Sequence, residues 1–379
     1  MNIKTLLRFL HFRAGFFAGL LVVTGTVVGA AEYDRTTEKD FQVAQGGKLI
    51  VQADRGSIEV NSGAGDKVQV RVLRRIKGGT QAQADELFAN HEVTFSQDGN
   101  TVSIVGKNMK DRSRLGRIRQ PSLQVRYEIS LPRKFDVDLK TSGGDIRLSE
   151  LDGSAITRTS SGSIELGTIS GRVESSNSGG DIQVARAGAD VVARTSSGSI
   201  KVQTVAGKIE VSDSGGDIRV EKAGKDVVAS TSSGSITLKT VQGGVEAKNS
   251  GGDISIETAD GDVSAQTSSG SIRVGRAAGK RVSAKNSGGD VLLGEIEGDV
   301  VAQTSSGAIK IAIAKGNAEV KNSGGQISIG EAGSGVVAET SSGSIEITTA
   351  KGKVEVKNSG GDEMQPPGLP PLWFSRRSA

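Results

Sequence analysis

Short bursts of alternating apolar and polar residues fill the last two thirds of the chain. Between 200 and 217, Ile200 and Val202 are followed by Ile209 and Val211, with polar residues in between. Successive side chains of a strand point to opposite faces, so this period of two predicts strands with one buried face. Gly207, Gly215 and Gly216 separate the bursts, at points where a chain needs positive φ or close backbone approach. Each unit is therefore two short strands and two turns. β-Branched residues dominate the inward positions, and the i, i+3, i+4 rhythm of a helix is absent.

The unit recurs every 18 residues. Ser-Gly-Gly, mostly followed by Asp-Ile, starts at Ser142, Ser178, Ser214, Ser250, Ser287, Ser323 and Ser359, in steps of 36 with a single step of 37. Thr-Ser-Ser-Gly-Ser-Ile or a close variant interleaves with it at Thr159, Thr195, Thr231, Thr267, Thr304 and Thr340. Such regularity predicts an all-β fold, a parallel β-helix or β-solenoid in which each coil buries its apolar face against its neighbours. About twelve coils at roughly 4.8 Å each make a rod on the order of 60 Å long. No Phe, Tyr or Trp occurs from Thr141 to Asp362, which implies a narrow aliphatic lumen. The one extra residue falls between Val274 and Val282, in the loop around Gly275 to Arg281; a loop absorbs it, whereas a strand would reverse its faces.

Two positions alternate between coils and double the repeat to 36. One is Asn or Asp (Asn177, Asp213, Asn249, Asn286, Asn322, Asn358) in one coil and Thr in the next. Parity turns it inward at a corner, where stacked polar groups satisfy turn amides. The other precedes the first Ile of the coil: Asp145, Asp181, Asp217, Asp253 and Asp290 alternate with Ser163, Ser199, Ser235 and Ser271. This acidic ladder is expected to point outward. Consecutive carboxylates stand about 9.5 Å apart, twice the strand spacing, too far to share a calcium ion that needs oxygens within about 2.6 Å. No metal site is expected there. The spacing is close to a Debye length at physiological salt, which keeps like charges from stacking.

The ends differ in composition. Residues 1–30 read as a signal peptide: Lys4, Arg8 and Arg13 precede the apolar run Ala14 to Val28, and Val28-Gly29-Ala30 offers a cleavage site. The run is shorter than the roughly 20 residues a spanning helix needs. Residues 31–140 form a β-rich head or cap, with a hairpin at Asp98-Gly99-Asn100 and one helix from Gln81 to His91 that Thr80 and Gln83 cap. Gly56-Ser57-Ile58-Glu59-Val60 looks like a degenerate repeat. The solenoid occupies 141–362. Residues 363–379 hold four of the six prolines and the only Trp, as a disordered or frame-altered tail. It leaves the last coil without an evident cap, so self-association through that open β edge is expected.

The signal peptide, the strand-rich head with one short helix, the segment Tyr127-Glu128-Ile129-Ser130-Leu131-Pro132 and the Gly-x-Ile repeats together resemble a bacterial exported β-strand-repeat family. It is a domain of unknown function labelled "putative adhesin". The resemblance runs from about Phe41 to Asp362. It implies a β-helix-like protein of the cell envelope with no catalytic activity, and it carries no functional residues over.

Catalytic chemistry has little to work with. Cysteine is absent, which removes thiol nucleophiles, disulfides and a lipid-attachment cysteine, and the two histidines are His11, inside the signal, and His91. No cofactor is expected. A polysaccharide-active β-helix enzyme would want aromatic platforms and a break in the repetition, and the rod offers neither. Binding is the favoured class. The net charge of +4 decides little, but Lys107, Lys110, Arg112, Arg114, Arg117 and Arg119 form a basic loop, preceded by Arg71, Arg74, Arg75 and Lys77. Outside the cytoplasm its partners would be an anionic envelope polymer, a lipid surface or a protein, while the solvated-loop alternative stays open. Specific nucleic-acid binding is not expected, because no aromatics interleave the charges. The sequence thus points to a structural or adhesin-like rod that is periplasmic, on the cell surface or secreted. The alternative is a periplasmic scaffold or sensor acting through its head.

Overall fold

The computed structural model describes residues 31–109 and 121–360, and the backbone of 363–364 and 373–374. The signal-peptide segment and most of the basic loop lie outside the described residues. Two sheets of seventeen strands run the length of the molecule. Each coil contributes one strand to each, as Ile200–Val205 and Ile209–Ser212 do. Pairing is parallel and steps by 18 residues, Ile200 with Ile218 and Ile209 with Val227. Twelve such coils follow from Ile146–Leu151 to Val354–Asn358.

The core is a set of aliphatic columns. Ile164, Ile182, Ile200, Ile218, Ile236, Ile254 and Ile272 stack one per coil, each fully buried. Ile200, Val202 and Val205 all point inward although the last step is three residues. The paired register skips Gln203, so a local bend in every coil restores Val205 to the interior and gives the strand two inner facets. The single extra residue sits in the turn between Ile272–Ala277 and Arg281–Lys285, where Val263 pairs with Val282 and the register resumes at once.

One corner is made of glycine for a steric reason. Gly162 has φ +116°, and a Cβ on it would collide with the carbonyl of Gly144 in the coil before. The same conflict with the preceding glycine recurs at Gly180, Gly198, Gly216 and Gly234. Backbones at this corner stack with no space for a side chain.

The N-terminal strands extend the same two sheets out of chain order. Ser57–Gly63 pairs in parallel with Ile146–Leu151, placing Ile58 on Ile146, and Gly47–Ala53 pairs with Phe135–Thr141. The segment read as a degenerate repeat is thus the backbone equivalent of a coil, and Thr141 Oγ1 donates to the Gly56 carbonyl as Thr159 does to Gly144. Thr101–Asn108 and Ser122–Pro132 stack beyond them in parallel. Antiparallel His91–Asp98, Lys67–Lys77 and Glu32–Gln42 finish the two sheets. Here the core admits aromatics, with Tyr127 and Phe135 fully enclosed. The helix, Gln81–Ala89, buries Ala84, Leu87 and Phe88 and carries the capping box between Thr80 and Gln83. It stops two residues before the expected end, because Asn90 caps it and His91 opens a strand.

At the other end the structure corrects the expectation of a bare edge. Glu363–Met364 pairs with Ile345 and Glu346, and Trp373–Phe374 with Glu355 and Val356. Both keep the 18-residue register, so the last coil carries two short backbone strands on its outer edge. Pro366, Pro367, Pro370 and Pro371 between them have no N–H to continue a ladder, a composition that blunts rather than advertises an edge.

Candidate binding surfaces

The acidic ladder lies at one corner of the rod, with Asp181, Asp217, Asp253 and Asp290 exposed and Asp145 half-buried. Each carboxylate also has a structural task. Asp145 Oδ1 accepts from the Ser163 amide at 2.9 Å, and Asp181, Asp217, Asp253 and Asp290 accept from Ser199, Ser235, Ser271 and Ala308 at 2.8 Å. Every one of these amides belongs to the following coil and lies just before its first strand. A second ladder, missed in the sequence, does the same at the opposite corner. Asp136, Asp190, Asp226, Asp262 and Asp299 accept from Ser154, Lys208, Gly244, Arg281 and Asn317 at 2.7–3.0 Å. From Asp181 and Asp190 to Asp290 and Asp299, alternate coils therefore hold the next coil at both corners through short charge-assisted bonds, whereas Asp136 and Asp145 each hold one corner of successive coils.

The inward polar ladder is buried from Thr159 to Thr340 and half-buried at its last member, Asn358. Asn249 Nδ2 donates to the Gly234 carbonyl at 2.6 Å while its Oδ1 accepts from Gly251 at 3.1 Å; Thr231 and Thr267 donate to Gly216 and Gly252 at 3.1 and 3.0 Å. These bonds satisfy the carbonyls of the glycine corner. Just outside that corner, one serine per coil from Ser142 to Ser359 is exposed, an unbroken hydroxyl column beside the aspartates. On the outer face of the second sheet another column alternates Val192, Glu210, Val228 and Glu246, and Val228 is 43% exposed.

In the head, the described part of the basic region is Lys107, exposed on Thr101–Asn108 opposite Glu92. Lys110, Arg112, Arg114, Arg117 and Arg119 lie outside the described residues. Arg71, Arg74 and Arg75 share one strand, yet not one environment. Arg71 and Arg75 face carboxylates, Glu38 at 3.2 Å and Asp34 at 2.9 Å. Arg74 turns inward and donates to the His91 carbonyl and to Thr37 Oγ1, both at 3.1 Å. Behind it sit Tyr127 and His91, whose hydroxyl and ring nitrogens find no partner. Gly106 makes space for the Tyr127 hydroxyl, which a Cβ there would strike, and His91 Nε2 lies 3.6 Å from the same point. Burial, then the charges of Arg74 and Arg55, press the His91 pKa down to about 4, so its imidazole is neutral. Burial also pushes the Tyr127 phenol up, and burial followed by the charge of Arg35 lowers Arg74. In the sequence, the one signal for this cluster was the inward parity of Tyr127 and Arg74 on neighbouring strands.

A protein-family model, Toastrack DUF4097, matches residues 47–258 and 239–366. The chain belongs to the Toastrack DUF4097 family. The first match opens at Gly47, the first residue of the earliest coil-like strand, and takes in the head strands from there together with the first part of the rod. Three solved structures illustrate the wider likeness. A "putative adhesin" from Bacteroides fragilis is 16% identical, covering 66% of this chain and 97% of its own, at a TM-score of 0.32. A "putative cell adhesion protein" from Clostridium sporogenes is 11% identical, covering 66% and 100%, at 0.24. A "putative lipid binding protein" from Parabacteroides distasonis is 14% identical, covering 87% and 97%, at 0.19. All three scores fall below 0.5, so the Toastrack assignment rests on the family match and the strand pairing. A search of curated proteins finds no significant relative.

Proposed function

We propose that this chain is an exported cell-envelope rod that binds a repetitive surface by avidity and performs no catalysis. The observation that carries the reading is the unbroken column of exposed serines flanked by regularly spaced aspartates. Many identical weak contacts along a stiff rod sum to strong attachment when the opposing surface is also repetitive. Binding is favoured over catalysis because the outer columns bring like groups together rather than unlike ones, and because His91 is enclosed in the head and neutral. Export is supported by the basic and apolar pattern of residues 1–30. Among the described residues no helix is long and apolar enough to cross a membrane.

The test is shortening. Variants of 31–379 lacking 36 or 72 residues of the repeat should bind immobilised envelope polysaccharide progressively more weakly, and full affinity after removal of 182–253 would defeat the reading. A head-directed scaffold is the second reading, favoured by the arginine-rich groove of the head. It predicts tolerance of shortening and loss of partner binding on changes within 31–140.

A further inference from the structure

An open groove of about 360 Å³ lies where head and rod meet, a volume within the range of ligand sites. It crosses the outer face of five successive strands, from Ser57–Gly63 through Ile146–Leu151 to Ile200–Val205. Four strand spacings make it roughly 19 Å long, and it runs along the rod axis. Strand parity decides which side chains reach it. Val60, Leu148, Leu166 and Val184 are buried and point into the core, so the groove meets only their backbone. Glu59, Arg147, Glu165, Gln183 and Lys201 line one long side, one from each strand. The floor is low because Ser149, Gly167 and Ala185 hold the next outward position in three coils running, with Asn61 and Gln203 at its ends. Beyond Gln203 that position carries Glu221 and Lys239, which pair at 2.7 Å, and Glu221 also meets Arg219 at 2.6 Å. Those side chains fill the surface and end the groove.

The lining is balanced in charge. Two carboxylates, Glu59 and Glu165, face two cations, Arg147 and Lys201, so nothing in the groove selects an ion. Arg147 and Glu165 pair with each other at 3.2 Å, whereas Glu59, Asn61, Gln183, Lys201 and Gln203 make no side-chain bond among the described residues. Amides both donate and accept, which matches the hydroxyls of a sugar. Beyond the methyl of Ala185 no apolar side chain reaches the groove to seat an apolar group, and a peptide strand would need a sheet edge that this face does not offer. A straight groove suits a straight chain. We infer that it binds a neutral, extended oligosaccharide of the β-1,4-linked kind, lying along the rod axis with its hydroxyls on Asn61, Gln183 and Gln203 and on the unpaired Glu59 and Lys201. The inference rests on the polysaccharide-binding reading for its class of partner, but assigns the contact to one site rather than to a repeated column.

Calorimetric titration of 31–379 with cellotetraose, maltotetraose and tetragalacturonate tests it. Cellotetraose should bind saturably at one site per chain, with the curved maltotetraose and the anionic tetragalacturonate each weaker by about fivefold or more, the effect of losing one hydrogen bond of ordinary net worth. Gln183→Ala should weaken cellotetraose by about fivefold on the same ground. Ala185→Gln fills the floor with the side chain that Gln203 carries at the equivalent place one coil on, so the variant folds and should lose binding. Lys310→Ala, farther along the same face, should change nothing. Absence of saturable cellotetraose binding, equal or tighter binding of either other sugar, or a titration untouched by Ala185→Gln would each overturn the inference. Deleting 218–253 removes no residue of the groove. The shortened chain should titrate with cellotetraose as the full chain does while holding immobilised polysaccharide more weakly, so failure of the groove and failure of avidity along the rod are read separately.

Discussion

Asp213 occupies a place that asparagine holds in equivalent coils, and the difference is one hydrogen bond. Asn177 and Asn249 donate to the carbonyls of Gly162 and Gly234 at 2.7 and 2.6 Å. Asp213 accepts from Gly215 and Gly216 at 3.1 and 2.9 Å but, as a carboxylate, has no proton for the matching carbonyl of Gly198. It is also only 5% exposed. Asp213→Asn should therefore raise stability by about 1 kcal/mol, the usual net worth of a buried hydrogen bond, and urea unfolding measures it; a lowered midpoint would show that the charge is preferred. His91 works in the opposite sense. Its pKa is pressed down to about 4 in the fold, so the unfolded chain takes up a proton more readily. Stability contributed by the neutral ring is complete above about pH 6.5 and is lost as pH falls towards 4, by up to about 3 kcal/mol at 1.4 kcal/mol per pH unit. His91→Gln should flatten that part of the profile. Thermal melts at pH 7, 5.5 and 4.5 decide the point, and an undiminished acid slope in the variant would place the sensitivity elsewhere.

From Asp181 to Asp299, aspartates fasten coils to their successors at both corners at alternate steps. In the last coil pair the fastening is missing: Gln326 and Gly335 stand where aspartates stood at Asp290 and Asp299. Thr340, between them and the end of the rod, has a buried hydroxyl with no partner. This pair should open first, and Gln326→Asp should stabilise it by about 1 kcal/mol, the scale of a side chain capping a free amide. Hydrogen exchange of the strand Ile345–Ala350 would report the change, and unaltered protection would count against the corner bonds. Within the repeats, strand positions, inward columns and the site of the extra residue were all legible, because period two and period 18 are local signals. The acceptor role of Asp145 and its counterparts was not, since the amide each one caps lies 18 residues away and sequence shows only that Asp alternates. Spacing of charge explained the alternation without the bond. The head was legible as strands and one helix, but not in its order. Gly47–Ala53 lies between Thr101–Asn108 and Phe135–Thr141, pairings that no turn motif announces. The enclosure of His91 and Tyr127 depends on that order and stayed hidden with it.

Along the whole rod, the two coil types give the molecule a true period of 36 residues although its backbone repeats every 18. From Asp181 on, an Asp coil delivers two carboxylates to the coil after it, and that coil carries no aspartate at either place, as Ser199 and Lys208 follow Asp181 and Asp190. Deleting a full pair, 218–253, rejoins coils in the native alternation. Deleting a single coil, 218–235, keeps every strand in register, yet it sets Asp217 one coil from Asp253 and Asp213 against Asn249. The carboxylates would then stand roughly 4.8 Å apart instead of about 9.5 Å, and like charges at that separation repel by about 1 kcal/mol or more near a surface. The 36-residue deletion should lower the melting temperature slightly, as expected when a nearest-neighbour array loses two units. The 18-residue deletion, although it removes less, should lower it further, and added salt should narrow the gap because screening acts on the new charge pair. Melting curves of both variants at low and high salt would test this, with small-angle scattering to confirm that each rod has shortened. A single-coil deletion that melts no lower than the double, at any salt concentration, would mean that the alternation of the repeat has no bearing on how the coils hold together.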